Sequence, residues 1–109
     1  MVLLATNGDL ELLKGRLLSG TGKINEQDSN GYSPLMAAAS YGQLDVLKFL
    51  LSWPGVEVNL VDLEGDSALH YCTSSVECMK ALLAAGGKLD LKNEEGKTPL
   101  ESMENEFFK

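Results

Sequence analysis

One stretch, Asp28 to Asn59 (DSNGYSPLMAAASYGQLDVLKFLLSWPGVEVN), can be laid over the residues on either side of it. That self-similarity restricts the fold more than any other feature of the chain. At an offset of 34 residues Gly8 falls on Gly42, Leu10 on Leu44, Leu13 on Leu47, Leu17 on Leu51, Ile24 on Val58 and Asn25 on Asn59. The same offset forward places Asp28 on Asp62, Gly31 on Gly65, Ser33 on Ser67 and Leu35 on Leu69. The next copy comes early, because Gly96 follows Gly65 after 31 residues, and Thr98-Pro99-Leu100 repeats Ser33-Pro34-Leu35. A period in the low thirties with helical patterning predicts a helical solenoid, each unit stacked on near-copies of itself.

The chemistry inside a unit is readable. Asp28-Ser29-Asn30-Gly31 and Asp62-Leu63-Glu64-Gly65 are turn stretches, each ending on a glycine able to take positive φ. Ser33 is placed to cap a helix, with Pro34 at its first position, where a missing N–H costs nothing. Thr98-Pro99-Leu100-Glu101 reads as a capping box, Glu101 reaching back to the Thr98 backbone. Ala37, Ala38 and Ala39 give the first helix of the central unit a face that a neighbouring backbone can approach closely. After a break at Tyr41-Gly42, Leu44, Leu47 and Leu51, widened by Val46 and Leu50, predict a second helix with one apolar face. A lone pair of such helices could not bury both flanks, so it has to stack.

DSNGYSPLMAAASYGQLDVLKFLL…VN and DLEGDSALHYC…MKALLAAGGKLD resemble ankyrin repeats: acidic residue, glycine, T-P-L-H element, small residues, glycine turn, leucine-rich second helix, then V-N. The resemblance covers nearly the whole chain. It implies an all-α solenoid of helix-turn-helix units joined by β-hairpin fingers that project at about a right angle. The expected units are 1–27, lacking a finger and the start of its first helix; 28–61, complete; 62–92, trimmed; and 93–109, a finger and one helix. The trimmed unit has no glycine between its helices, and Ser74 with Glu77 is read there as a second capping box. At the end of the chain Glu101, Glu104 and Glu106 suit a polar outer flank, whereas Phe107 and Phe108 are expected to fold back over the stack.

Catalytic and metal readings fare poorly. His70 stands near Asp66, Ser67 and Cys72, but a triad needs nucleophile, base and orienting acid beside an oxyanion hole. Ser67 is expected instead at a helix N-cap, its oxygen committed to backbone N–H groups. The resemblance makes His70 the histidine that hydrogen-bonds the adjoining finger, a contact that Met36 and Glu101 cannot reproduce in the other units. His70, Cys72 and Cys78 lack a fourth ligand and fit none of the common zinc spacings. By the overlay Cys72 occupies the place of Ala38 and Cys78 that of Val46, both core positions. The acidic residues Asp62, Glu64 and Asp66 lack the glutamate that closes a calcium loop, and no phosphate cradle or H-E-x-x-H is present. No catalytic, cofactor-binding or metal residue is expected, and Ser33, Pro34, His70, Thr98 and Pro99 are read as structural.

What the core leaves over is the functional surface. Finger tips and the adjoining ends of the first helices form the groove that partners of ankyrin proteins enter. By position this selects Ser29, Asn30 and Tyr32 with Ser40 and Tyr41, then Leu63, Glu64 and Asp66 with Thr73 and Ser74, then Glu94, Glu95 and Lys97. Tyr32 and Tyr41 are the expected anchors, since a tyrosine offers large contact area at low entropic cost. Trp53 is expected to staple the opposite surface, and Asn25 and Asn59 resemble asparagines that some ankyrin proteins present for hydroxylation.

Composition sets the partner class. With 16 acidic and 9 basic residues the formal charge is −7, which repels phosphate backbones and argues against direct nucleic-acid binding. The expected partner is another protein, a basic segment being the form the charge favours. Two cysteines six residues apart make no disulfide framework, and neither a leader nor a membrane span is evident. A monomer in the cytoplasm or nucleus is expected, acting as an adaptor, inhibitor or escort, or else as a regulatory or tethering segment of a larger enzyme or channel.

Overall fold

The computed structural model describes residues 1–73 and 75–102. Among them lie six helices: α1 (Val2–Asn7), α2 (Leu10–Ser19), α3 (Pro34–Ser40), α4 (Leu44–Ser52), α5 (Ala68–Tyr71) and α6 (Val76–Ala84). A further helical segment begins at residue 99 and includes residue 102, the last one described. Helices α1, α3 and α5 pack side by side as one row, while α4 packs on both α3 and α6 in a second row behind it. The stack is elongated, with extents of 42 × 25 × 22 Å.

Local chemistry explains where the helices begin and end. The Ser33 hydroxyl accepts the Met36 N–H at 3.3 Å, with Pro34 opening the helix. Thr98 Oγ1 accepts from the Glu101 N–H at 3.3 Å, and the Thr98 N–H donates to Glu101 Oε1 at 3.2 Å, closing the expected box. Gly8 and Gly42, at φ 74° and 65°, reverse the chain between the helices of the first two units. The residue after each glycine closes the turn: Asp9 N–H donates to Leu4 O and Gln43 N–H to Ala38 O, both at 2.9 Å. In the third unit α5 is a single turn of four residues and no glycine follows it. Helix α6 is capped by Ser75, whose side chain accepts from the Cys78 N–H at 3.2 Å, one residue later than the Ser74 expected. Ser74 itself lies outside the described residues, as do Glu104, Glu106, Phe107 and Phe108.

The core is aliphatic and small. Ala5, Ala37, Ala38 and Ala39 have no exposed surface, so the helices of the inner row approach at backbone distance. On α4 the buried stripe is Val46, Leu47 and Leu50, whereas Leu44 and Leu51 are only half-buried. The apolar face is thus centred closer to Val46 than the leucine spacing suggested, because α3 and α6 clasp the helix from two sides. Cys72 and Cys78 are both free and buried in this core, as the overlay with Ala38 and Val46 predicts. Burial, with the Cys78 charge second, pushes the Cys72 thiol up to about 12, the signature of a packing residue rather than a nucleophile.

The fingers differ from the hairpins expected. No strand is formed among the described residues, and the one β-bridge joins Val61 to Ser67. Each finger is instead a tight turn closed from within. Asp28 Oδ1 accepts from the Asn30 and Tyr32 N–H groups at 2.9 Å, and Asp62 Oδ1 accepts from Glu64 and Asp66 at 2.9 Å. Asn93 Oδ1 does the same for Glu95 and Lys97 at 3.0 Å. One carbonyl on each of the first two fingers then receives an N–H from the next, Asn30 O from Leu63 at 3.1 Å and Glu64 O from Glu94 at 2.9 Å. Two main-chain bonds thereby set three turns in register.

Glycine is required at these turns for two reasons. Gly31 and Gly65 have φ of 78° and 79°, and a Cβ on either would meet the backbone of the following finger, at 2.8 Å (Leu63 N) and 3.1 Å (Asn93 Cα). Gly96 shares the left-handed backbone, φ 75°, but has nothing within 4 Å of that position. Gly96→Ala should therefore lose about 1 kcal/mol, the left-handed cost alone. Gly31→Ala should lose about 2–3 kcal/mol by urea denaturation, as the neighbouring finger must also move. Equal losses would show that the fingers do not bear on one another.

Candidate functional site

His70 shows how the turns are tied to the helices behind them. Its Nδ1 accepts from the Ser67 N–H at 3.0 Å and lies 2.9 Å from the Ser67 hydroxyl. On the other side Nε2 lies 3.0 Å from the Lys97 carbonyl oxygen. An acceptor at Nδ1 and a carbonyl at Nε2 require the Nε2–H tautomer, assigned from this network. The ring is 5% exposed and bridges the third unit to the last finger, as the resemblance implies. Ser67 stands at the N-cap in a capping box with His70, as expected, and its hydroxyl also donates to the imidazole. Base and hydroxyl do meet, but both are buried and the second nitrogen is held by a carbonyl, so the pair lacks the orienting acid and open approach that acyl transfer needs.

A second tie runs between the loops that follow the second helices. Asn25 Nδ2 donates to Gly55 O at 2.8 Å while its Oδ1 accepts the Glu57 N–H at 2.8 Å. Asn59 repeats this on the following loop, with Gly86 O at 3.1 Å and Lys88 N–H at 2.9 Å. Each asparagine thus spends both ends of its amide holding neighbouring units together.

Between the fingers lie two clefts. The first, of about 360 Å³, is lined by Asp28, Asn30, Tyr32, Asp62, Leu63, Glu64 and Tyr71. The second, of about 230 Å³, is lined by Asp66, His70, Thr73, Asn93, Glu95, Lys97 and Ser102. The expected surface residues are therefore divided: Asn30, Tyr32, Leu63 and Glu64 share one cleft, and Asp66, Thr73, Glu95 and Lys97 share the other. Ser29, Ser40, Tyr41 and Glu94 line neither.

The two expected anchors behave differently. Tyr41 is 60% exposed at the end of α3, and Leu63 is 67% exposed at its finger tip. Tyr32 is half-buried and meets Tyr71 edge to face, ring centres 5.3 Å apart; it is a wall of the first cleft rather than a free anchor. Tyr71 completes that wall, its hydroxyl donating to Asp62 Oδ2. The sequence carried a signal for it, an aromatic ring where the central unit has Ala37. Asp28, Asp62 and Asn93 were also legible, as an Asp or Asn three residues before each finger glycine. On the opposite surface Trp53 is half-buried against Phe49 at 5.8 Å, with Lys14 Nζ 5.4 Å from the Phe49 ring centre.

Against this geometry, a family description of ankyrin repeats in many copies matches residues 17–72, and that of the single ankyrin repeat matches residues 64–94. The chain belongs to the ankyrin-repeat family. It is 38% identical over 68 residues to an ankyrin repeat-containing protein of Schizosaccharomyces pombe, covering 62% of this chain and 32% of that one. It is 34% identical over 71 residues to the DNA-binding protein RFXANK of Homo sapiens, covering 65% and 27%. A probable serine/threonine-protein kinase of Dictyostelium discoideum is 39% identical over 83 residues, covering 71% of this chain and 10% of the kinase. The chain spans a third or less of the length of these relatives. Ankyrin repeats are protein–protein interaction modules, and the kinase likeness is confined to a tenth of that enzyme.

His70→Ala strands the Ser67 N–H and the Lys97 carbonyl and opens a cavity, so it should lower stability by about 2–4 kcal/mol in denaturant titration. A loss under about 1 kcal/mol would remove His70 as a tie between units.

Burial, then the hydrogen bond to Asp62, raises the Tyr71 pKa. The unfolded chain therefore releases this proton first. The stabilisation is complete below about pH 10, the free phenol value, and is lost as pH rises beyond it. Tyr71→Phe should cost about 1 kcal/mol near neutrality and flatten the alkaline fall of the melting temperature. An unchanged alkaline slope would mean that other groups govern it.

Proposed function

We propose that this chain is a non-catalytic module that binds another protein through its finger tips and the concave face beside them. The observation that carries this reading is the row of exposed tips, Ser29, Asn30, Leu63, Glu64, Glu94 and Glu95, mounted on turns whose main chain is already bonded from finger to finger. Such a surface is pre-organised, so little ordering entropy is lost on binding. Tyr41 and Leu63 supply the apolar contact and the acidic tips supply steering. The formal charge of −7 favours a partner with a basic segment and disfavours direct contact with nucleic acid. The chain works as a monomer in the cytoplasm or nucleus, as an adaptor, inhibitor or escort; two free buried thiols suit a reducing compartment.

A second reading, a regulatory or tethering segment of a larger enzyme or channel, draws support from the kinase likeness and from the small share of each relative that the chain covers. Determining the length of the native transcript separates the two.

The test of the first reading is capture of partners from a lysate of the source cells, with Tyr41→Ala plus Leu63→Ala as the comparison. Both side chains are largely exposed, so the double variant should melt with the parent while recovering about tenfold less partner. Equal recovery would move the interface off this face.

A further inference from the structure

Of the two clefts between the fingers, the first joins an aromatic wall to acidic side chains with no lysine or arginine among them. Its walls are two phenol rings set edge to face, Tyr32 and Tyr71, and its rim carries the exposed side chain of Leu63. Three carboxylates from two fingers, Asp28, Asp62 and Glu64, line it, and no lysine or arginine does. The ion pairs of the described residues lie elsewhere, at Met1–Glu26, Lys14–Glu11 and Lys97–Glu95, so the cleft is not neutralised from within. One oxygen of Asp28 serves the turn and both oxygens of Asp62 are occupied, while among the described residues no donor reaches the second Asp28 oxygen or either oxygen of Glu64. Negative charge with spare acceptors therefore faces an aromatic wall across a space of about 360 Å³.

We infer that this cleft receives an arginine side chain from an extended, basic segment of the partner protein. The inference rests on the interaction reading above and names the occupant of one place within that surface. A guanidinium suits both halves of the cleft, because its plane stacks on aromatic rings and its fork of N–H donors pairs with carboxylate oxygens. Its aliphatic stem lies along Leu63 and the ring edges. A bare divalent ion suits it poorly. Among the described residues no three acidic, histidine or cysteine side chains converge as metal ligands, so the carboxylates can surround a long cation but not chelate a small one. The second cleft differs in kind, for Lys97 lines it and pairs with Glu95 at 3.8 Å, leaving less uncompensated charge there.

The protein's own third finger supplies a clean variant. Asn93 closes that turn through its Oδ1 as Asp28 and Asp62 close theirs, so Asp28→Asn removes the charge and keeps the turn. The experiment is a titration of the 15N-labelled protein at low salt with a blocked peptide of three Arg-Gly-Ser triplets. Parallel titrations use the same peptide with citrulline for arginine, and calcium chloride alone. Saturable shifts are expected at the amides of Asn30, Tyr32, Leu63 and Glu64. The citrulline peptide and the Asp28→Asn/Glu64→Gln variant should each bind about tenfold more weakly. The proposal is overturned by equal binding of the citrulline peptide, by unchanged affinity in the double variant, or by saturable shifts with calcium alone at these amides. It is overturned equally by shifts centred on Asp66 and Glu95, or by no saturable shift at all. If the peptide fails while partner capture still depends on Tyr41 and Leu63, the cleft assignment falls and the interaction reading stands. If capture ignores those two residues, the interaction reading itself falls.

Discussion

The stack depends on one close approach, the backbone of each finger lying against the bare Cα of the glycine on the finger before it. At Gly31 and Gly65 the space where a side chain would begin is occupied by the main chain of the neighbouring turn. That proximity is what lets Asn30 and Glu64 offer their carbonyls to Leu63 and Glu94. Such bonds are short-ranged, so a turn displaced by even one methyl group would forfeit them. Positive φ makes glycine preferable at these positions; the adjoining finger makes it close to obligatory.

Everything behind the fingers serves to hold that approach. The alanine cluster of α3 lets α1 and α5 lie close on either side, so that successive turns emerge at a spacing one hydrogen bond can span. The ties at His70, Asn25 and Asn59 then join each unit to its neighbour at other points, each using both ends of a polar side chain. None of these interactions crosses more than one unit boundary. Stability in such an array is close to a sum of local terms and nearest-neighbour terms, and a finger is only as rigid as the units beside it.

The same construction leaves a surface of the kind that interaction modules present. The histidine and the two cysteines are spent on structure: the His70 nitrogens face Ser67 and Lys97, and the cysteines sit in the core. What remains exposed at the tips is a row of side chains, Ser29, Asn30, Leu63, Glu64 and Glu94, that make no hydrogen bond or ion pair among the described residues. Their identities can vary without loss of fold, which is the condition a binding surface has to meet.

The helices, the caps at Ser33 and Thr98 and the finger glycines were legible in the sequence because each follows from short-range chemistry: helical spacing, a hydroxyl before a proline, a turn that demands positive φ. Repetition then turned local patterns into an architecture, the buried places of Cys72 and Cys78 followed by overlay, and the tie at His70 followed from the family resemblance. Other features could be settled only by tertiary packing. Whether Tyr32 stood free or formed a wall depended on Tyr71 of the next unit, whose ring meets it edge to face. The buried stripe of α4 moved toward Val46 because two helices flank it, and the fingers formed tight turns closed by main-chain and Asp or Asn side-chain bonds, with no strand pairs among the described residues. Sequence spacing reports which residues share a face of one element; only the neighbours of that element decide what the face meets.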